Sequence, residues 1–550
     1  MFAIACIIGL FSYSILLVGL LGALTPFYVI PIILLFLFAC LILINRQVKK
    51  KKSKLKRKSL FKYILSSSPL YTAVIVLIVI QGLINLIGVL GPELSFDALW
   101  YHLTLPKIYL LNNSVSYISG GLLYYSAMPQ LGEMLYTVAL MFSGEIVAKF
   151  IHFIFGVLII VSVYLFSKRL FQKKYAAIAA LIFYSNLVIG WESISANIDL
   201  VRAFFEVIAF WSFTNWIEKK NTKNLIMVGT MLGFAIATKL LALGSLLIFI
   251  ILVFYVSLFL WKSPVRDMIK SQLFLLISTL VVASPWLIRS YLIAGNPVYP
   301  FFSSSDPVDP ALVTFYPYDF LRNSWILLMQ SADPITPIYI ITMPLIIFYF
   351  KKFSNLGKML IIYSLLGILI SIPTAKLGGG RFVVAYLPIL SISVGYLLSN
   401  LVKVKPIFYY KILIFSVLLT SLISIGYRGL ANAKFIPVLI GQESKDTFLT
   451  KNLVFNFGDF YDTDGFFRKN ITENDRVLLI GFHNLYYVNF PFVHESYLKE
   501  GDSFNYIAVQ HSELPQEYNN WYLIYENKVT GVKLYKKGQY VALNKLETRN

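Results

Sequence analysis

Long apolar runs separated by short polar breaks dominate the chain. They fall near 2–21, 25–45, 69–91, 145–167, 175–191, 198–217, 225–240, 242–261, 271–289, 335–350, 359–373, 382–399 and 410–427. A helix rises 1.5 Å per residue, so about 20 apolar residues cross the hydrocarbon core of a bilayer. About thirteen crossings are therefore expected. Two further stretches, 97–111 and 129–142, keep helical periodicity with one apolar face but are too short to span, and they read as helices lying at the membrane interface. From about Glu443 the pattern changes, with apolar runs shrinking to strand length at Val477–Ile480, Tyr506–Val509, Tyr522–Tyr525 and Val532–Tyr535. The first of these is apolar throughout, as in a buried parallel strand. The expected fold class is an all-α polytopic membrane protein with a small C-terminal α/β domain. Its expected divisions are 1–68 (two helices and a basic loop), 69–430 (the main helical region, with loops 92–144 and 290–334) and 431–550 (the α/β domain).

Composition agrees with that reading: 58% of the 550 residues are hydrophobic and only 14% charged. The net charge of +21 raises the question of nucleic acid, but its distribution answers it. Nine of the thirteen residues from Arg46 to Lys58 are Lys or Arg, and smaller basic groups recur between later apolar runs. Basic loops of this kind mark the cytoplasmic side and favour anionic headgroups. No nucleic-acid partner is expected. Alternation then puts the amino terminus in the cytoplasm and the C-terminal domain outside, in a multi-pass protein of the cell membrane. Cys6 and Cys40 both lie in apolar runs, so neither a disulfide framework nor a thiolate metal site is in view.

The candidate chemistry begins where the first acids appear. No Asp or Glu precedes Glu93, after which Glu93, Asp97, His102 and Lys107 arrive among Trp100, Tyr101, Tyr124 and Tyr125. Ionisable groups at a membrane boundary lose solvation, and chains that place several there generally use them. Sugar transfer from an activated phosphate needs a carboxylate to take a proton, cations to hold the leaving phosphate and aromatic surface for sugar and lipid. Asp97 is the first choice for the carboxylate, with desolvation raising its basicity, although it or Ser95 could equally cap a helix. Asp199 is the second, unless it merely pairs with Arg202 at i+3. Glu133 reads as either a site residue or a solvated one, and Glu206 as a structural partner. The phosphate-binding candidates are Arg289, Arg381, Lys107 and Lys239, with Arg381 following three glycines at Gly378–Gly380 beside Lys376. His102 and Asp97 would suit a divalent cation, but no second His or Glu stands at ligand spacing, so no metal site or cofactor is assigned.

The order Asp97-Ala-Leu-Trp100-Tyr101-His102, then Met128-Pro129 and Glu133, then Asn197-Ile-Asp199, resembles the bacterial family-39-like glycosyltransferases. So do Thr238-Lys239 and the segment Pro285-Trp286-Leu-Ile-Arg289 through Gly295-Asn296-Pro297-Val-Tyr299-Pro300-Phe301. These belong to the GT-C superfamily, with the protein O-mannosyltransferases and the lipid A aminoarabinose transferase. The resemblance covers about 69–400. It implies a GT-C-like fold, a polyprenyl-phosphate-linked sugar donor, an extracytoplasmic site, inversion at the anomeric carbon, Asp97 as catalytic acid–base residue and Asp199 as its second acidic position. Trp100, Tyr101, His102, Glu133, Asn296 and Tyr299 are then the expected substrate contacts, and the acceptor is open. One departure stands out: Ala127-Met128-Pro129-Gln130 occupies the place where relatives carry a charged residue before Pro-Pro. Two rivals fit a polytopic chain. A polysaccharide polymerase or ligase would rely on Arg and His in its large external loop, but 290–334 holds Arg322 and no His. A transporter or flippase would show matching halves with broken helices, and no such symmetry is visible.

Overall fold

A computed structural model describes residues 1–52, 68–302, 317–330, 333–374, 378–402 and 407–537. Each of the thirteen apolar runs meets helix in it. Among the described residues, eight of these helices are long and apolar enough to cross a membrane singly, from Phe2–Leu20 to Phe408–Ala433. The other runs are shorter, broken or charged. The 175–191 run divides into Lys173–Tyr184 and Leu187–Glu192, and Asp199–Lys219 carries Asp199, Arg202 and Glu206. The chain is a multi-pass membrane protein. The end of the Arg46–Lys58 run, Lys376 and much of the 290–334 loop lie outside the described residues.

Asp199–Lys219 is the innermost helix, buried without interruption from Asp199 to Trp216. A helix apolar nearly all round has to be enclosed by others. Thr222–Thr238 packs on it and on Val265–Ala294. The second of those contacts depends on small residues. A Cβ at Gly229 would stand 1.9 Å from Ser278 Oγ, and one at Gly233 would stand 2.5 Å from Val282 Cβ, so glycine at both positions lets the helix backbones close up.

The first loop leaves the bundle at the end of Pro69–Leu90, where the last carbonyls of the helix need donors. Buried Lys149 supplies them, donating to the carbonyls of Gly88 (2.9 Å), Gly91 (2.7 Å) and Pro92 (3.1 Å). Beyond that point come a π-helical turn, Ala98–His102, and the helices Thr104–Leu111 and Leu131–Phe142. The expectation of interfacial helices needs correcting here. Leu131–Phe142 is buried along most of its length, and it packs against Phe2–Leu20, Thr104–Leu111 and Glu145–Leu170. Its apolar face is met by protein.

The C-terminal unit holds five strands, β1 (Val477–Ile480), β2 (Phe492–His494), β3 (Tyr506–Gln510), β4 (Tyr522–Asn527) and β5 (Val532–Lys536), in the order β2-β1-β3-β5-β4. As expected, β1 is buried throughout and runs parallel to both neighbours, while β5 pairs antiparallel with β3 and β4. The pleat separates two faces. Val477, Leu479, Ala508 and Leu534 continue the core of the helical region, whereas Leu478, Ile480, Ile507 and Val509 pack with Trp521 in a separate cluster.

Candidate active site

Four charged side chains from four separate segments converge at the mouth of the innermost helix. Asp97 enters on the π-helical turn of the first loop. Asp199 is the first residue of Asp199–Lys219, where the helix dipole favours an anion. Lys239 directly follows Thr222–Thr238, and Arg381 lies in the 3-10 turn Gly379–Val383. Arg381 Nη1 stands 2.6 Å from Asp97 Oδ2, and Lys239 Nζ stands 2.8 Å from Asp199 Oδ1. Arg381 Nε also lies 3.8 Å from Asp199 Oδ2, so the guanidinium bridges both carboxylates. Tyr101 donates its hydroxyl to Asp97 Oδ2 at 3.2 Å. Phe382 is shared by the two cations, its ring centroid 4.9 Å from Lys239 Nζ and 5.5 Å from Arg381 Cζ.

Buried polar groups hold the two carboxylates in register. Glu93 accepts from the backbone N–H of Leu94 and Ser95, and through its other oxygen from Ala196 N–H at 2.7 Å, stapling the first loop to the turn before Asp199. Ser95 donates to Asn197 Oδ1 at 3.2 Å, and Tyr136 donates to the Asn197 carbonyl. His152 Nε2 accepts from Leu200 N–H at 3.1 Å while its Nδ1 faces the carbonyls of Glu192 and Ser195, which fixes the ring beneath the helix start.

Two sequence expectations about these acids change. Asp97 makes no side-chain capping bond, and its carboxylate is turned toward Arg381. Nor is its basicity raised. Burial alone would push the carboxyl up, but Arg381, aided by His102 and Lys239, outweighs burial and holds it below the usual carboxylate range. Asp199 takes Lys239 as its hydrogen-bonded partner, while Arg202 pairs with Glu206 at 2.7 Å. Ser245 and Tyr363 complete that inner pair by donating to Glu206 Oε2, which gives it a structural character.

The remaining candidates are dispersed. His102 Nδ1 lies 2.7 Å from Glu133 Oε1 with both side chains buried, so Glu133 is paired and enclosed rather than solvated. Asp97 and His102 thus go to different partners. Among the described residues no three His, Cys, Asp or Glu converge as a metal-ligand set. Arg289 donates through Nη1 to the Ser126 carbonyl at 2.6 Å, and Ser290 donates to the Ala127 carbonyl. Arg289 Nη2 is buried without a hydrogen-bond partner among the described residues. The Arg289 site connects to Asp97 through Tyr125, which precedes the Ser126 carbonyl held by Arg289 and lies parallel to Tyr101 at 3.6 Å, while Tyr124 stacks on Tyr125 and meets Tyr299. Trp100 packs edgewise on this group and donates to the Leu122 carbonyl. Asn296 is occupied locally: it donates to the Phe301 carbonyl, accepts from Val298 N–H and so shapes its own turn.

Lys107 is also placed elsewhere. Its ammonium donates to the Tyr486 and Val488 carbonyls (2.7 and 2.6 Å) and to Asn489 Oδ1 (3.0 Å), all in the C-terminal unit. An ammonium with three acceptors in place has no donor left for a phosphate. A cavity of about 460 Å³ opens beside it, lined by Lys107, Glu145, Lys445 and Tyr486. Asp97 is not on its wall, so the chemistry and this cavity are separate features. Sequence reasoning missed Glu93 and Lys149 as anchors and assigned His483 nothing, yet His483 faces Trp100 at 4.4 Å.

A family model described as dolichyl-phosphate-mannose-protein mannosyltransferase matches residues 134–288. ArnT from Cupriavidus metallidurans bound to undecaprenyl phosphate superposes with a TM-score of 0.57 at 12% identity, over 84% of this chain and 97% of that one. Its apo state gives 0.55 at 11% identity over the same shares. The archaeal oligosaccharyltransferase AglB from Archaeoglobus fulgidus, in complex with an inhibitory peptide and a dolichol-phosphate, is a coarser likeness at 0.45 and 15% identity, over 80% and 69%. No curated protein matches by sequence. The chain has the GT-C fold, and residues 134–288 resemble the protein mannosyltransferases.

Proposed function

We propose that the chain is an inverting glycosyltransferase that moves a sugar from a polyprenyl-phosphate-linked donor to an acceptor hydroxyl on the extracytoplasmic side of the cell membrane. The observation that carries this reading is Arg381 bridging Asp97 and Asp199 at the mouth of a membrane helix, with Lys239 behind. A dianionic pair held by two cations is a site that an incoming phosphate can rearrange. The phosphate competes for Arg381 and Lys239, whose pairing with the carboxylates then loosens. Asp97, freed from its strongest partner, regains basicity once the donor is seated. It accepts the acceptor's O–H proton as that oxygen attacks the anomeric carbon. The bond from that carbon to the phosphate oxygen breaks with its electron pair, and the lipid phosphate leaves against Arg381. Arg289, whose buried Nη2 has no hydrogen-bond partner among the described residues, offers a further donor along the lipid's path. Tyr101, Tyr125 and Tyr299 supply an aromatic wall between the two arginines.

The fold shared with ArnT, one structure of which holds undecaprenyl phosphate, supports a polyprenyl phosphate as the carrier. The basic loops at the opposite ends of the helices support the orientation. The test is release of free lipid phosphate from a panel of polyprenyl-phosphate sugars by the purified full-length protein. Wild type should turn over at least one of them, and Asp97→Asn should lower that rate by about 10²–10⁴-fold. Wild-type turnover in the Asp97→Asn variant would remove Asp97 as the base.

A further inference from the structure

Besides its hydrogen bonds to Lys107, Leu99 and Glu93, the C-terminal unit meets the first loop through a cluster of rings. His483 follows Gly481-Phe482 at the end of β1 and lies 4.9 Å from Phe96, nearly parallel to it, and 4.4 Å from Trp100. Phe457 meets Phe96 at 5.1 Å and leaves 70% of its own surface to solvent. Phe96 adjoins Asp97 in the chain, and Trp100 packs on Tyr101, whose hydroxyl touches the Asp97 carboxylate. The cluster therefore borders the site on its outer side.

His483 is oriented by a relay behind it. Asn484 Nδ2 donates to Asp459 Oδ1 at 2.7 Å, which turns Asn484 Oδ1 toward His483 Nδ1 at 2.9 Å. Nδ1 must then carry the proton, and Nε2 keeps a lone pair. Among the described residues no group donates to that lone pair. Burial lowers the imidazole's affinity for a second proton, so the ring stays neutral and Nε2 stays an acceptor at neutral pH. Gly458 completes the arrangement: its φ of +105° suits glycine, and a Cβ there would come within 2.7 Å of His483 Cβ.

We propose, resting on the glycosyltransferase reading above, that Phe96, Trp100, Phe457 and His483 form the acceptor subsite. Its occupant is a sugar ring of a glycan, held against the aromatic surfaces with one hydroxyl donating to His483 Nε2. The chemistry of the cluster selects that class. Phe457 offers an exposed ring face to the C–H side of a sugar beside the part-exposed Phe96, Trp100 and His483, the single lone pair wants an O–H donor, and none of the four residues is charged. An isoprenoid would leave the lone pair unfilled, whereas a sugar hydroxyl fills it.

The experiment uses full-length protein in detergent and two independent readouts. Binding of soluble glucose, mannose and N-acetylglucosamine trisaccharides is measured by saturation-transfer NMR without donor, and lipid-phosphate release is measured separately with polyprenyl-phosphate sugars as donors and the trisaccharides present as acceptors. At least one trisaccharide class should bind. His483→Phe keeps the stacking and should weaken binding about tenfold, His483→Gln should recover most of it through its amide oxygen, and Phe457→Ala should weaken it. Melting temperatures report folding of each variant. Sugar binding lost in His483→Phe supports the subsite even if no donor is turned over, in which case the glycosyltransferase reading alone falls. The subsite is overturned if no trisaccharide binds, if a Ser/Thr peptide binds where none does, or if His483→Phe binds like wild type.

Discussion

Arg381 decides how Asp97 behaves before substrate arrives. Because the guanidinium holds the carboxyl below the ordinary value of about 3.9, Asp97 is ionised throughout the neutral and mildly acidic range. A base must be ionised to act, so kcat/KM should fall with decreasing pH only below that ordinary value. Arg381→Gln removes the cation and leaves burial as the main influence, so the acid limb should move to higher pH. A pH profile of donor turnover checks this, and an unmoved limb would assign the limb to another group. Asp97 and Asp199 were legible in the sequence because carboxylates are rare beside apolar runs. Their partners were not. Arg202, three residues from Asp199, was the evident local choice, whereas Lys239 reaches Asp199 through the fold from 40 positions away. Asn296 misled for the opposite reason: its motif is distinctive, yet the amide is consumed in building its own turn.

At the scale of elements, the site depends on how one helix ends and how two others touch. Lys149 closes the end of Pro69–Leu90 with three buried carbonyls, and Lys149→Met would leave them without a donor. A loss of about 3 kcal/mol is expected, read as a lower melting temperature, with Asp97 displaced and turnover reduced alongside. Gly233→Val would press a side chain on Val282 and the Thr279 carbonyl, forcing Val265–Ala294 outward and carrying Arg289 with it. Overpacking of this kind costs about 1–3 kcal/mol, and a thermal melt should show it. Apolar run length revealed the long helices and four of the five strands, but not short helices such as Phe320–Trp325 and Lys445–Asn452. It did not reveal β2, whose three residues follow Pro491 and gain strand character only by pairing with β1. Nor could a period of 3.6 tell whether Leu131–Phe142 would meet lipid or protein, since either surroundings reward the same apolar face.

Across the whole molecule, the first loop is gripped from two directions. Glu93 ties it to the bundle at Ala196, and the C-terminal unit holds it through Lys107, through Tyr486 N–H to the Leu99 carbonyl and through Tyr487 to the Glu93 carbonyl. Lys107→Met would strand three oxygens at that junction, so the C-terminal unit should become more accessible to limited proteolysis while the bundle stays resistant. Equal cleavage in variant and wild type would show that Lys107 is dispensable for docking. No local pattern could have announced this contact, because its partners lie about 380 positions apart. That separation sets an order of events during synthesis. A ribosome delivers Asp97 well before Tyr486, so the nascent chain carries the candidate base in a loop tied only to the bundle until residue 486 has emerged. On the proposed reading, the loop that carries Asp97 gains its full support only after the segment around Tyr486 has been made.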